Sequence, residues 1–351
     1  MKNTCSFIKH LSNFTMKIQM NVKKYTVIAM LPALLTLLSC NGFAQENKTP
    51  TITKTFDLNQ PGILNASSSG GGIKVKSHNQ QKVVVQAFIR KNGRILSPSD
   101  PSVDDVLEDY DLEIEKNGSV ISANVKRKAH FNHWNNVGIS LTIIVPPEMS
   151  CNVSSSGGGL KISNVKGTHN FTSSGGGIKL ENITGTTKAK SSGGSVNATN
   201  QNGDVDLSSS GGGVSLDGGI GSVIAHSSGG GVHLKNIHGD VDAGSSGGGV
   251  SVSGECGYVK AKSSGGSVRI NISNLSKELY LQSSGGGIDA VIRNGDDLGL
   301  DLDLSSDRVN IDLHNFSGRA EKDRVNGTMN NGGIPVYMRA SGGSINVRFN
   351  N

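Results

Sequence analysis

The sequence predicts an all-β chain: a parallel β-solenoid, or β-helix, with 18-residue coils and an N-terminal β cap with irregular insertions. Three observations predict it. The period is constant, apolar residues alternate at strand spacing, and asparagine exchanges with glycine at one point of every period. The period is carried by the phrase SSGG, whose first glycines are Gly157, Gly175, Gly193, Gly211, Gly229, Gly247 and Gly265, each 18 residues from the last. Gly285 follows after 20 residues, and single copies begin at Gly70 and Gly342. A flexible Gly/Ser linker has no reason to keep such a register, whereas stacked repeats require it.

With that glycine as zero, offset +3 reads Leu160, Ile178, Val196, Val214, Val232, Val250, Val268, and offset +5 reads Ile162, Leu180, Ala198, Leu216, Leu234, Val252, Ile270. Offset +12 is mostly valine and offset +14 mostly alanine, as in Val241 and Ala243. The two pairs alternate with polar residues, which is the two-residue period of a strand. Each unit is therefore expected to hold two strands and two turns. Offset +10 is glycine throughout, Gly167, Gly185, Gly203, Gly221, Gly239 and Gly257, while offset +7 alternates between asparagine and glycine. These two residues share cheap access to the left-handed backbone region, so one turn is placed near +7 to +10 and the other at the glycine run. The serines before the glycines are expected to form hydroxyl ladders along the axis. Roughly ten coils at the inter-strand spacing give a stack on the order of 50 Å long. Its interior is thin, consistent with 34% hydrophobic and 4% aromatic residues.

In chain order, residues 1–39 read as a signal peptide. Lys23 and Lys24 precede the apolar run YTVIAMLPALLTLL, which is too short to span a membrane. Met16 or Met20 is an alternative start. Two cleavage readings stand open. LLSC resembles a lipobox that would leave Cys40 as the lipidated residue, and GFAQ allows cleavage after Ala44, which extends the signal to 1–44. Both export the chain and imply a bacterial source. Residues 40–50 read as a linker and 51–150 as an N-terminal β cap continuous with the solenoid. Within the cap, 82–90, 111–116, 119–128 and 138–147 read as strands, and the acidic, proline-containing 97–110 as a loop with at most one helical turn. Residues 151–351 hold the repeats and a C-terminal cap. There LGLDLDLSSDRVNIDLHNF is expected to make longer strands, and VYMRASGGSINVRF to close the stack.

The net charge of +6 includes five lysines before Cys40, so the remainder is about +1, and nucleic-acid binding is not expected. Cys151 and Cys256 lie about six coils apart, far beyond disulfide reach, and are expected as free thiols, Cys151 buried and Cys256 open to solvent at a corner. Calcium-binding nonapeptide repeats place aspartate inside the glycine turn. Here the residue after the triple glycine is apolar, and GDVD occurs only at 203–206 and 239–242. Asp301 and Asp303 are expected to share one face and repel. No acid pair recurs on neighbouring coils at the outward offsets +4 and +13, which a glycosidase or lyase would need. The SSGG serines have no distinguishing base. His226, His233 and His238 read as a surface cluster without further ligands. No enzyme, metal or cofactor is expected. One non-repeating segment, Lys126 to Asn136, combines Lys126, Arg127 and Lys128 with Phe131, His133 and Trp134. Basic and aromatic side chains suit an anionic or sugar ligand, and the competing reading is a hairpin whose Phe131 and Trp134 plug the open end of the stack.

The strands IKVKSHNQQKVVVQAF, the junction ISLTIIVPPEMSCNVSSSGGGLKI and the run of SSGGG-V-x-L coils together resemble the bacterial "putative adhesin" family of glycine-rich parallel β-solenoids, over about residues 50–351. The resemblance implies an exported β-solenoid of the cell envelope and transfers no binding residue. The expected role is a non-catalytic surface structural or binding module. Its expected partner is a surface glycan or an envelope protein, with a lipid anchor if Cys40 is modified. The chain is expected to be a monomer, as an outer-membrane lipoprotein or a periplasmic or cell-surface protein. Alternatives are a carbohydrate-binding or carbohydrate-active β-helix, and an envelope sensing or assembly partner.

Overall fold

The structure of the chain, a computed structural model, describes residues 49–128, 136–293 and 295–350. Lys48–Asn351 forms one compact unit. It is a parallel β-solenoid. Val232 pairs in parallel register with both Val214 and Val250, so equivalent letters of the repeat occupy neighbouring rungs. On the side that carries offsets +3 to +6, twelve strands follow one another in parallel, from Val137–Val145 at one end to Val309–Ile311 at the other. We call this the leading side. The side that carries offsets +12 to +16 is the trailing side, exemplified by Val223–Ser227 and Val241–Ser245. Residues +3, +5, +12 and +14 point inward and are almost fully buried, as the alternation requires.

The cross-section has a third, short side. Asn164, Asn182, Asn200 and Asn236 at +7 have φ between 52° and 58°, and Gly167, Gly185, Gly203, Gly221 and Gly239 at +10 have φ between 104° and 152°. Two left-handed residues three apart turn the chain twice, so the two-turn reading of the unit is corrected. Between them, offset +8 points inward as a fifth apolar row: Val165, Ile183 and Ile237, with Gln201 among them. The asparagines also bond along the axis, Asn182 Nδ2 donating to Asn164 Oδ1 at 2.8 Å and Asn200 Nδ2 to Asn182 Oδ1 at 2.9 Å. One coil deviates. Its register slips between Leu234 and Ile237, so that Gly254 pairs with Ile237, and the left-handed residue is Gly254 (φ 146°) rather than Gly257. The slip carries Cys256 into the inward position, where it is fully buried. Its expected exposure at a corner is therefore corrected; both Cys151 and Cys256 are free thiols.

The glycine run serves stacking rather than left-handed backbone. A Cβ on the second glycine would lie 2.3 Å from the Gly72 nitrogen at Gly158 and 2.6 Å from the Gly213 nitrogen at Gly230. Side chains are excluded there because the backbone of the preceding coil occupies the space. The third position is less confined, and Ser195, Ser267 and Ser344 stand in it. The first serine of each phrase is buried and bonds twice. Ser227 Oγ donates to the Gly212 carbonyl of the preceding coil at 2.8 Å and accepts from the Gly230 N–H at 3.0 Å. The hydroxyl ladder thus runs through glycine carbonyls, not from hydroxyl to hydroxyl. The C-terminal copy has Ala340 in this place.

At both ends, chain order and spatial order part. Gly62–Ser68 and Ile73–Ser77 belong to a coil flanked on one side by Val120–Arg127 and Val137–Val145, and on the other by Met149–Ser155 and Leu160–Ser163. The chain therefore lays its second coil, then the outermost one, then resumes on the far side. At the C-terminal end Ile334–Ala340 and Ile345–Asn350 insert between Glu278–Ser283/Ile288–Arg293 and Leu300–Ser305/Val309–Ile311. The stack is thus closed by Leu300–Ser305 with the antiparallel strands Arg324–Met329 and Phe316–Ala320, not by the final copy. The acidic alternating segment yields strands of six and three residues, not longer ones. Edge strands at the ends are short or charged, as Val309–Ile311 and the acidic Tyr110–Asn117 show, which disfavours edge-to-edge growth. Residues 102–109, within a segment expected as a loop with at most one helical turn, form the eight-residue helix Ser102–Asp109. It buries Val103 and Val106, and Asp100 Oδ1 accepts the Ser102 N–H at 3.0 Å.

Candidate functional site

On the trailing side, inward residues at +12, +14 and +16 leave +13 and +15 facing outward, with the second serine at +17 on the corner. The +15 row runs through twelve rungs: Asn124, Ser67, Ser154, Thr172, Lys190, Ser208, His226, Gly244, Lys262, Gln282, Arg339, Ser305. It contains no carboxylate. The +17 row beside it is serine at Ser192, Ser210, Ser228, Ser246 and Ser264. Beyond the N-terminal strand Tyr110–Asn117, whose Glu113 lies beside Asn124, the acids of this side lie in the +13 row and are paired. Asp206 meets Lys188 at 3.4 Å, Asp242 meets Lys260 at 2.8 Å, and Asp303 meets Arg339 at 3.4 Å. The Asp242 carboxylate, hydrogen-bonded to Lys260, holds that ammonium above the usual lysine range.

The +15 and +17 rows border an open groove of about 520 Å3, lined among others by Lys190, His226, Lys262 and the serines Ser210, Ser228 and Ser246. Gly244 shapes it. A Cβ there would lie 2.7 Å from His226 Nδ1, so the absent side chain is what lets the imidazole lean along the groove. Lys262 Nζ sits 4.8 Å above the Tyr280 ring, Tyr280 stacks on Tyr337 at 4.6 Å between centroids, and the Arg339 guanidinium covers Tyr337 at 4.9 Å. This cation–aromatic column ends the groove and fixes Lys262. Ile224, 41% exposed, stands in the +13 row between Asp206 and Asp242.

The same face continues to the N-terminal end as a second hollow of about 510 Å3, lined by Ser67, Ser69, Asn124, Lys126, Ser154 and Ser156, and bounded by Asp111 and Glu113. Lys126 of the sequence-predicted segment therefore belongs to this face. The Arg127 N–H donates to Ser69 Oγ at 3.1 Å. Lys128 Nζ lies 3.4 Å from Asp111 and lines a separate hollow with Lys54 and Tyr110. Phe131, His133 and Trp134 lie outside the described residues, as does Cys40. The predicted turn glycines occupy left-handed corners on the short side, Gly257 excepted.

The three histidines do not form a cluster. His226 is on the trailing strand Val223–Ser227, and His233 and His238 are on Val232–His238, with His238 Nε2 3.7 Å from Glu255. Among the described residues no group of three His, Cys, Asp or Glu side chains could hold a metal ion. Asp301 and Asp303 do share an outward face, yet each has its own partner: Asp301 accepts the Gly333 N–H at 3.2 Å, and Asp303 faces Arg339. Inside, His169 is buried and stacked on Phe171, and burial pushes its pKa down to about 4 against a smaller opposing pull from the Thr184 backbone. Burial likewise pushes the Cys151 and Cys256 thiols up to about 12. The signal for the groove lies in the sequence at offset +15, which carries lysine, histidine and arginine and no acid, and not in the outward rows +4 and +13.

No family model matches the chain, and no curated protein matches it. Solved structures do. A protein described as a putative adhesin from Bacteroides fragilis is 14% identical, covers 85% of this chain and 96% of its own, and has a TM-score of 0.34. A putative adhesin from Parabacteroides merdae is 12% identical, covers 85% and 95%, and has a TM-score of 0.30. A putative lipid binding protein from Parabacteroides distasonis is 14% identical, covers 86% and 98%, and has a TM-score of 0.26.

Proposed function

We propose that this chain is a non-catalytic, exported binding module of the bacterial cell envelope, and that it docks a surface glycan along its trailing side. One observation carries the reading: a twelve-rung row without a carboxylate, flanked by serines, beside which Asp206 and Asp242 of the central coils are held in ion pairs. A ligand lying along such a face meets the same backbone at every rung, which is how solenoids present extended binding surfaces. Export rests on the lysine-flanked apolar segment before Cys40.

The full chain applied to a glycan array tests this. Retention of a glycan class should weaken when Lys190 or Lys262 of the trailing side is replaced, and should be unchanged by Lys235→Ala at +6 of the leading side. Retention insensitive to the trailing-side changes would place the binding elsewhere. New reducing ends appearing in a bound polysaccharide would make the protein a carbohydrate-active enzyme instead.

A further inference from the structure

We propose that the trailing-side groove binds an acidic polysaccharide in register, one sugar per rung, with a carboxylate on every second sugar. The inference rests on the glycan-docking reading above and specifies its ligand. In the +15 row, Lys190, His226 and Lys262 stand on alternate rungs, with Ser208 and Gly244 between them. At the rung spacing of parallel strands, consecutive donors are therefore about 9.6 Å apart along the axis. An extended β-linked hexose chain advances by about one rung per sugar, so an alternating uronic-acid polymer repeats its charge at the same interval.

Three further observations fit this ligand. The Lys190 ammonium has no ion pair or hydrogen bond among the described residues, and Lys262 is held only against the Tyr280 ring. Asp242, the carboxylate that lines the groove, is neutralised by Lys260 at 2.8 Å. Ser210, Ser228, Ser246 and Ser264 expose one hydroxyl per rung, each able to donate to and accept from a sugar hydroxyl at that step. A nucleic-acid strand has a phosphate about every 3.4 Å, which calls for denser donors than one every second rung.

The test is binding of the full chain to three probes of equal length. They are hyaluronan oligosaccharide (a carboxylate on alternate sugars), polygalacturonate (a carboxylate on every sugar) and a neutral β-glucan, with single-stranded DNA as a charge control. Hyaluronan should bind, and Lys190→Ser together with Lys262→Ser should weaken it at least tenfold. Both lysines are exposed, and serine already stands in the same row at Ser154, Ser208 and Ser305, so the double variant should keep the parent's melting temperature. Polygalacturonate should bind no more than about threefold tighter than hyaluronan, despite twice the charge. Tighter binding of polygalacturonate or DNA by tenfold or more would reduce the groove to a general cation patch and overturn the register. Preference for the neutral glucan would overturn the acidic ligand yet leave glycan docking standing. No retention of any glycan would remove the docking reading along with this one.

Discussion

The middle of the stack and its ends are built from the same phrase, but they obey different rules. Between Met149 and Arg293, successive coils in the chain are successive coils in space, and each SSGG corner rests on the one before it. At the ends the phrase recurs at Gly70 and Gly342, but the coil that carries it is inserted between neighbours laid down at other times. Ser68 illustrates the consequence. Its hydroxyl faces the Ile139 carbonyl at 3.5 Å, whereas Ser227 in the middle reaches a glycine carbonyl at 2.8 Å. A repeat therefore has its full set of contacts only where its neighbour is another repeat.

The sharpest way to break this comparison is at the corners. Gly239 has φ +148°, and a Cβ there would lie 2.1 Å from the Gly221 oxygen, so Gly239→Val should combine backbone strain with overpacking. The expected loss is about 4 kcal/mol in chemical denaturation. Gly93, in the turn after Lys82–Lys91, also has a positive φ of 80° but has no neighbouring atom within 4 Å of the added Cβ. Gly93→Ala should cost only about 1 kcal/mol. Equal losses would mean that middle corners are not stacked as described.

A second contrast lies within the core. Row +12 is uniform valine from Val205 to Val259 but holds Cys151, His169 and Thr187 toward the N-terminal end. His169 is 2% exposed and its pKa falls from 6.5 to about 4, so between those values the unfolded chain binds a proton that the folded chain does not. Stability should therefore fall as pH falls through that window, by roughly 3 kcal/mol from this group. His169→Val, which restores the row, should remove that part of the acid sensitivity, and the difference between variant and parent should grow from neutral pH to pH 4. A constant difference would show that the imidazole is not buried uncharged.

Smaller effects refine the picture. Ser227→Ala should cost about 2 kcal/mol, because a buried N–H and a carbonyl lose their partner, and Ser68→Ala about 1 kcal/mol. Last, Cys151 and Cys256 should both resist alkylation at pH 8 in the folded protein and react together on unfolding, with no change in stability to measure. Rapid labelling of Cys256 alone would return it to the corner where the period by itself had placed it.

Much of this fold was legible in the letters. Offsets +3, +5, +12 and +14 became the buried rows, and the asparagine–glycine exchange at +7 became a left-handed corner, because stacking gives every copy the same environment and so repeats the same chemical demand. Three-dimensional neighbours settled the rest. The short side appears because two bends fall three residues apart, and a one-residue slip at Ile237 turned Cys256 inward. The order of the end coils depends on strand pairings remote in sequence, which no period encodes. The groove, too, is a property of rungs: Lys190, His226 and Lys262 are unremarkable at their separations along the chain and become one row only when the coils are stacked. A periodic sequence states what every coil needs; which coil lies against which, and what their side chains line, is set by pairing between distant strands.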